Sequence, residues 1–148
     1  MPGPKKFKAV KTAVVIGRNI ADEIISSGLS LLEAMYIKYE LVSALKTTDK
    51  EIADYAANAK KRGIETVIVV SDVADTLPAV VAENSFAPVI FAPYSNTKKS
   101  IPGKILSQAP FAAAALNNFT SAVLIALKII SIRDKSLSRR MAKLCSQL

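Results

Sequence analysis

The sequence contains no histidine and only one cysteine, Cys145. Histidine is the commonest general acid or base in enzymes and the commonest metal ligand, so other side chains would have to supply both chemistries here. A single cysteine excludes an intrachain disulfide and a cysteine cluster for a metal, and fits a reducing compartment. We therefore predict no metal, no cofactor and a cytoplasmic protein.

Long apolar runs are also missing. The most apolar stretch, residues 119–132, is about 14 residues long and contains Lys128, whereas a membrane-spanning helix needs about 20 apolar residues. The basic amino terminus leads directly into a short apolar strand, unlike a secretory signal with its apolar core and cleavage site. We expect no association with a membrane.

Basic charge is present and is concentrated at the two ends of the chain. The 148 residues include 20 lysines and arginines against 12 aspartates and glutamates, a net charge of +8. Residues 1–11 carry four lysines, and residues 132–148 carry five basic side chains against Asp134, so each end contributes +4. The 120 residues between them are neutral. We predict a basic flexible tail over residues 1–11 and one domain over residues 12–148, which ends in a basic helix at 134–148.

Hydrophobic periodicity predicts strands that alternate with helices. The predicted strands are residues 12–16, 36–42, 66–70, 88–92 and 111–116, and the predicted helices are residues 21–35, 49–62, 77–84, 120–131 and 135–147. Thr48 and Glu51 have the spacing of a capping box. Residues 93–103 are predicted to form a loop, and residues 105–108 one helical turn. This alternation indicates an α/β fold, a three-layer doubly wound parallel sheet of about five strands with a C-terminal helix.

The helix predicted over residues 120–131 has no polar face. Its apolar residues include Val123, Leu124, Ile125, Leu127, Ile129 and Ile130. A helix that is apolar on all sides has to be covered on all sides, which one small domain rarely achieves. We therefore expect burial between the subunits of a homo-oligomer.

The segment 43–48, Ser-Ala-Leu-Lys-Thr-Thr, lies between the second predicted strand and the second predicted helix. Ligands of parallel α/β sheets bind at loops that leave the carboxyl ends of strands, so Ser43 and Lys46 lie where an active site is expected. The segment resembles the Ser-Ala-His-Arg-Thr motif of the PurE family, the carboxyaminoimidazole ribonucleotide mutases and carboxylases of purine biosynthesis. Leu45 stands in place of the family's histidine.

The resemblance extends from Lys11 to Leu144. The family's Gly-Ser-x-Ser-Asp loop is matched by residues 17–22, and its run of small residues ending in His-Leu-Pro-Gly is matched by residues 71–79, with Thr76 at the histidine position. Its later loop and C-terminal helix are matched by Pro93, Gln108 and Pro110, and by Asp134, Lys135 and Leu137. The resemblance implies the flavodoxin-like or Rossmann-like fold of PurE and an octamer as the oligomeric state.

The resemblance also implies a ligand site. In the family, loop residues hold the phosphate and ribose of an aminoimidazole ribonucleotide, and the second-loop histidine moves the proton during carboxyl transfer. The corresponding ligand-binding candidates here are Gly17, Arg18, Asn19, Asp22, Ser43, Ala44, Lys46, Ser71, Asp72, Asp75 and Leu77. No catalytic residue is assigned, because Leu45 and Thr76 occupy the histidine positions.

Several of these positions depart from the family pattern. Lys46 keeps the charge of the family's arginine but not its bidentate fork. Asp72, Val73 and Asp75 replace small residues, and the two carboxylates would repel a phosphate. One carboxyl kept protonated by the other would be a substitute acid.

Three functions are compatible with these observations. The favoured one is a divergent PurE-like protein without carboxyl-transfer activity, acting as an oligomeric scaffold, a regulator or a binder of an anion or a nucleotide, such as a phosphate-bearing small molecule. The alternatives are an active carboxylase or mutase on aminoimidazole ribonucleotide, and a protein that binds nucleic acid or an acidic partner through its basic tails.

Overall fold

The computed structural model describes residues 10–95 and 110–146. The elements in chain order are β1 (Thr12–Ile16), α1 (Asp22–Ala34), β2 (Tyr39–Ser43), α2 (Asp49–Ala59) with a 3₁₀ turn (Lys60–Arg62), β3 (Thr66–Asp72), α3 (Leu77–Asn84), β4 (Val89–Tyr94), β5 (Ala112–Ala113), α4 (Phe119–Ser131) and α5 (Lys135–Ser146). The tail residues 1–9, the helical turn predicted at 105–108 and Gln108 lie outside the described residues. Within the described ranges, no helix has the length and hydrophobicity needed to cross a membrane.

The five strands form one parallel sheet in the order β2-β1-β3-β4-β5. Residues of β1, β3 and β4 are buried on both faces, as their apolar runs predict. Helices α1, α4 and α5 pack on one face, and α2 and α3 pack on the other. The predicted three-layer, doubly wound fold is therefore confirmed. The strand order reverses between β1 and β3, which is where ligands of such sheets bind.

The second strand starts later than predicted. Tyr36 has a φ of 59°, so it cannot continue a strand, and β2 begins at Tyr39. The guanidinium of Arg140 lies over the Tyr36 ring, 5.4 Å from its centroid, and its Nε donates to the carbonyl of Met35 at 3.0 Å. The end of α1 is thus held by a residue more than 100 positions away, which no local pattern could indicate.

The fourth strand ends later than predicted, because it continues through Pro93 to Tyr94. The carbonyl of Pro93 accepts a hydrogen bond from the N–H of Asn117 at 2.8 Å. The N–H that proline lacks would point to the same side of β4 as this carbonyl, past the last residue of β5. No hydrogen bond between the strands is therefore lost. The predicted loop therefore does not begin at Pro93. β5 itself has two residues rather than six, and Asn117 then turns the chain with a φ of 55°.

Helix α4 is covered more completely than its composition predicts. It packs on α1, β3, β4 and α5, and Val123, Leu127 and Ile130 are fully buried within one chain. The exposed part is a strip that includes Leu124, which is 37% exposed, and Lys128. Most of the helix is thus covered by its own chain, and this strip is the part of it that a second subunit would cover. Self-association remains a prediction, with a smaller apolar surface to support it.

Candidate functional site

A cleft of about 440 Å³ lies at the carboxyl edge of the sheet, between the loops that follow β1, β2 and β3. Its lining residues are Arg18, Asn19, Ala44, Asp49, Asp72, Ala74, Asp75, Thr76 and Leu77. Six of the eleven ligand-binding candidates are among them: Arg18, Asn19, Ala44, Asp72, Asp75 and Leu77. The structure thus brings the motifs at residues 17–22 and 71–79 together around one space.

The loops are held by hydrogen bonds to the neighbouring strands and to their own side chains. The N–H of Ala44 donates to the carbonyl of Ile16 at 2.9 Å, which fixes the start of the second loop against β1. In the third loop, the carboxylate of Asp72 accepts from the N–H of Ala74 at 2.8 Å, and that of Asp75 accepts from the N–H of Leu77 at 3.0 Å. Both carboxylates are therefore oriented before any ligand arrives.

The cleft contains more negative than positive charge. Among the described residues that line it, Asp49, Asp72 and Asp75 are acidic and Arg18 is basic. No carboxylate in the described part of the chain lies within ion-pair distance of Arg18. Among the described residues, no group of three His, Cys, Asp or Glu side chains is arranged to hold a metal ion, and this includes the three aspartates of the cleft.

Asp49 is the charged lining residue that sequence reasoning missed. It is the first residue of α2, directly after the N-cap Thr48. Its carboxylate lies near the positive end of the helix dipole, which explains an aspartate there without any ligand. Its position could have been inferred, because the first turn of a helix that follows a strand lies at the carboxyl edge of the sheet, where ligands bind.

Two other predicted site residues, Gly17 and Ser71, lie at the ends of β1 and β3. The N–H of Gly17 donates to the carbonyl of Val70 at 2.8 Å, and a Cβ atom at residue 17 would lie 2.7 Å from Cβ of Ser71. Only glycine therefore fits at this crossing. Ser71 is fully buried, and its hydroxyl has no hydrogen-bond partner among the described residues. Leaving such a group unpaired costs roughly 1–3 kcal/mol.

The remaining predicted residues do not line the cleft. Lys46 is exposed in the turn after β2, and the hydroxyl of Ser43 accepts from the N–H of Leu45 at 3.3 Å. Asp22 is exposed in the first turn of α1. Leu45, at the position of the family's histidine, is 69% exposed. The position that carries the family's chemistry is thus occupied by an apolar side chain in contact with water.

A smaller cavity of about 170 Å³ adjoins the cleft and shares Asn19 and Asp72 with it. Tyr94 also lines this cavity, and its hydroxyl accepts a hydrogen bond from the N–H of Phe119 at 2.9 Å. Burial raises the pKa of the Tyr94 phenol above its ordinary value, so the group is neutral near pH 7. Ser95 completes the far side, where Asn117 binds both its N–H and its carbonyl, at 2.8 and 3.1 Å.

Comparison with known proteins shows which family the chain belongs to. A sequence profile described as AIR carboxylase matches residues 11–148, almost the whole chain. The chain belongs to the AIR carboxylase family. This membership confirms the resemblance to PurE and the link to a family of purine biosynthesis.

Two members of this family and one solved structure illustrate the degree of similarity. The N5-carboxyaminoimidazole ribonucleotide mutase of Saccharolobus solfataricus is 31% identical over 141 residues, which are 90% of this chain and 89% of the relative. The mutase of Thermotoga maritima is 29% identical over 143 residues, 88% of this chain and 81% of the relative. The crystal structure of Treponema denticola PurE superposes with a TM-score of 0.73 at 17% identity and covers 92% of this chain and 89% of that one. The last comparison supports the fold.

Proposed function

We propose that this member of the AIR carboxylase family does not transfer a carboxyl group and instead binds a small molecule in the cleft, as a cytoplasmic scaffold or regulator. The observation that carries the proposal is the charge of the cleft, where Asp49, Asp72 and Asp75 accompany Arg18. A ribonucleotide brings a phosphate, and its carboxylated form brings a carboxylate as well. Both groups would face repulsion from three carboxylates and attraction from one guanidinium.

The absence of a proton-transfer group also argues against carboxyl transfer. A positioned general acid or base is worth typically about 100- to 10,000-fold in rate. The positions of the family's histidines are Leu45 and Thr76, and the 148 residues contain no histidine that could substitute from elsewhere in the chain. Loss of this group alone would lower the rate heavily, even if a ribonucleotide still bound.

The cleft better fits a ligand with one anionic group at most. Arg18 is suited to a single carboxylate or phosphate because its guanidinium offers a planar fork of donors. Asp72 and Asp75 are already oriented by backbone N–H groups and would accept hydrogen bonds from amino or hydroxyl groups of the same ligand. A small molecule with one acidic group and several donors matches this arrangement.

The alternative is an active mutase or carboxylase. It is favoured by the relative from Saccharolobus solfataricus, which is named as a mutase and is 31% identical over 90% of this chain. In that case one of the cleft aspartates would have to act as the acid. The charge of the cleft makes this the second choice.

The experiment is a spectrophotometric assay of aminoimidazole ribonucleotide carboxylation and of N5-carboxyaminoimidazole ribonucleotide conversion. The mutase of Saccharolobus solfataricus is the positive control under identical conditions. We expect no turnover above the uncatalysed rate and no saturable rise in melting temperature with either nucleotide. Turnover by the wild-type chain would replace this proposal with the alternative.

A further inference from the structure

The opposite edge of the sheet, at the amino ends of the strands, has a groove of a different character. Two adjoining depressions of about 480 and 570 Å³ meet there and share Lys11, Glu65 and Arg133. We call this surface the basic groove and define it by Lys11, Lys60, Glu65, Ile132, Arg133 and Lys135. It lies at the other end of the strands from the cleft and has no part in the function proposed above.

The positive charges of the basic groove are mostly not neutralised. Lys11 pairs with Glu65 at 3.6 Å. The nearby carboxylate of Asp134 is engaged as the cap of α5, where it accepts from the N–H of Leu137 at 2.9 Å. Within residues 10–95 and 110–146, no acidic side chain lies within ion-pair distance of Lys60, Arg133 or Lys135. Three cations from two segments of the chain therefore line the two adjoining depressions.

Helix stability explains only part of this arrangement. Lys60 follows α2 and Arg133 follows α4, where a cation is favoured by the negative end of the helix dipole. Lys135 is the first residue of α5, where the same dipole disfavours a cation. The helix dipole therefore does not explain Lys135, which is available to an anionic partner beside Arg133.

The basic groove also exposes apolar surface. Ile132 is 81% exposed, and the half-buried Ile129 lies beside it in the wall of the groove. The phosphate backbone of a nucleic acid has no apolar group that would cover Ile132. An acidic peptide with an apolar side chain matches both the cations and the isoleucine.

We propose that the basic groove binds an acidic, apolar-containing segment of another protein. Its carboxylates would pair with Lys60, Arg133 and Lys135, and an apolar side chain would cover Ile132. The chain's own tail is not a complementary occupant, because residues 1–9 carry three more lysines and no acidic residue. These lysines would instead add to the attraction for an acidic partner.

The test uses the full 148-residue chain and a random 12-residue peptide library displayed on phage. Peptides recovered by selection are resynthesised with fluorescein, and their binding is measured by fluorescence anisotropy at physiological ionic strength. We expect the recovered sequences to be enriched in Asp and Glu together with Leu, Ile or Phe. Recovery of sequences without acidic enrichment would overturn the proposal.

Variants assign the binding to the basic groove. Lys60→Glu and Arg133→Glu should each weaken the selected peptides about 5- to 10-fold, and the neutral Lys60→Gln and Arg133→Gln about 2- to 3-fold. Ile132→Ser should weaken them about 5-fold. The matched controls are Lys50→Glu, at the other end of α2, and Leu41→Ser, a 49% exposed leucine on β2. The controls should bind as the wild type does, and thermal melts establish that every variant is folded.

Three results would contradict the proposal. The first is undiminished peptide binding by Lys60→Glu and Arg133→Glu. The second is a 20-nucleotide single-stranded DNA that binds more tightly than the peptides and is insensitive to Ile132→Ser, which would assign the groove to nucleic acid. The third is a change of molecular mass on charge reversal, seen by light scattering, together with no peptide binding, which would make the groove a contact between copies of this chain.

Discussion

At the scale of single residues, Leu45 is the position where a simple substitution tests the proposed function. Leu45→His returns a titratable side chain to the family's histidine position in an exposed turn. We expect no carboxyl transfer from this variant, because the three carboxylates of the cleft are unchanged. The spectrophotometric assay is run on wild type, Leu45→His and the control Leu45→Ala. Turnover by Leu45→His above that of Leu45→Ala would show that the histidine alone was missing.

Ser71 offers a second test at this scale. Its buried hydroxyl has no partner among the described residues, so Ser71→Ala should raise the free energy of unfolding by about 1 kcal/mol. The matched control is Thr12→Val, because the buried hydroxyl of Thr12 contacts that of Thr66 at 2.8 Å and this variant removes a satisfied group. Urea unfolding should show stabilisation for the first variant and destabilisation for the second. A loss of stability in Ser71→Ala would mean that the hydroxyl is paired in solution.

At the scale of secondary-structure elements, the contact between α1 and α4 depends on Gly28. A Cβ atom at residue 28 would overlap a ring carbon of the fully buried Phe119. Alanine gains about 1 kcal/mol over glycine in a helix interior, but overpacking a rigid core typically costs about 1–3 kcal/mol. Gly28→Ala should therefore lower the free energy of unfolding, measured in urea.

Two further variants isolate the contact. Ser30→Ala, at an exposed position of the same helix, should be neutral or slightly stabilising. Phe119→Leu should cost less in the Gly28→Ala background than in wild type, because the smaller side chain makes room for the new methyl group. Equal cost in both backgrounds would show that the two residues are not coupled.

The edge strand β2 is linked to the end of α2 by an ion pair between Glu40 and Arg62. The hydrogen bond from Arg62 lowers the pKa of Glu40 below its ordinary value of 4.5. A lowered folded-state pKa means that the folded state keeps the carboxylate while the unfolded state binds a proton, so this stabilisation is present above pH 4.5 and is lost as the pH falls through the folded-state pKa. The Arg62 side chain is 46% exposed, so the contribution is at most about 1 kcal/mol.

We expect Glu40→Gln to reduce the difference between the free energies of unfolding at pH 7 and pH 3. Glu83→Gln, an exposed glutamate on α3 without an ion pair among the described residues, is the control and should leave the difference unchanged. Urea titrations of the three proteins at both pH values provide the measurement. An unchanged difference in Glu40→Gln would mean that the ion pair does not persist in solution.

Elements that depend on neighbours in sequence were predictable, and those that depend on distant contacts were not. The N-cap at Thr48 is confirmed, since its hydroxyl accepts from the N–H of Glu51 at 3.2 Å. The other half of the predicted capping box differs, because the Glu51 carboxylate accepts from the Thr48 hydroxyl at 3.0 Å. The range predicted for α3 is also confirmed. The start of β2 and the end of β4, in contrast, are set by Arg140 and Asn117, which lie far along the chain.

The same distinction applies to the cleft. Sheet topology places ligands at the carboxyl edge, so the loops of the site were predictable from the order of strands and helices. Which side chains of a loop face the cleft depends on the path of the turn. The turn after β2 leaves Lys46 outside the lining and places Asp49 within it, and no periodicity in the sequence distinguishes these two.

At the scale of the whole molecule, the family resemblance predicts a homo-oligomer with an octamer as the expected state. The exposed strip of α4 around Leu124 is apolar surface that such an assembly would cover. Light scattering at physiological ionic strength should give eight times the chain mass of 15.8 kDa. Leu124→Glu should lower that mass, and the control Leu41→Glu on β2 should not. A wild-type protein that is monomeric at micromolar concentration would end the prediction.

The positions of the acidic cleft and the basic groove have one more consequence. They lie at opposite edges of one sheet, so the charged side chains that line them form an electric dipole along the strands. Such a dipole would orient two copies head to tail, but in dilute salt, where the Debye length reaches about 30 Å, the net charge of +8 on each copy makes them repel. Head-to-tail contacts do not close unless the rotation happens to form a ring. We therefore expect open-ended chains of molecules only where added salt screens the repulsion between the net charges, and not in dilute salt.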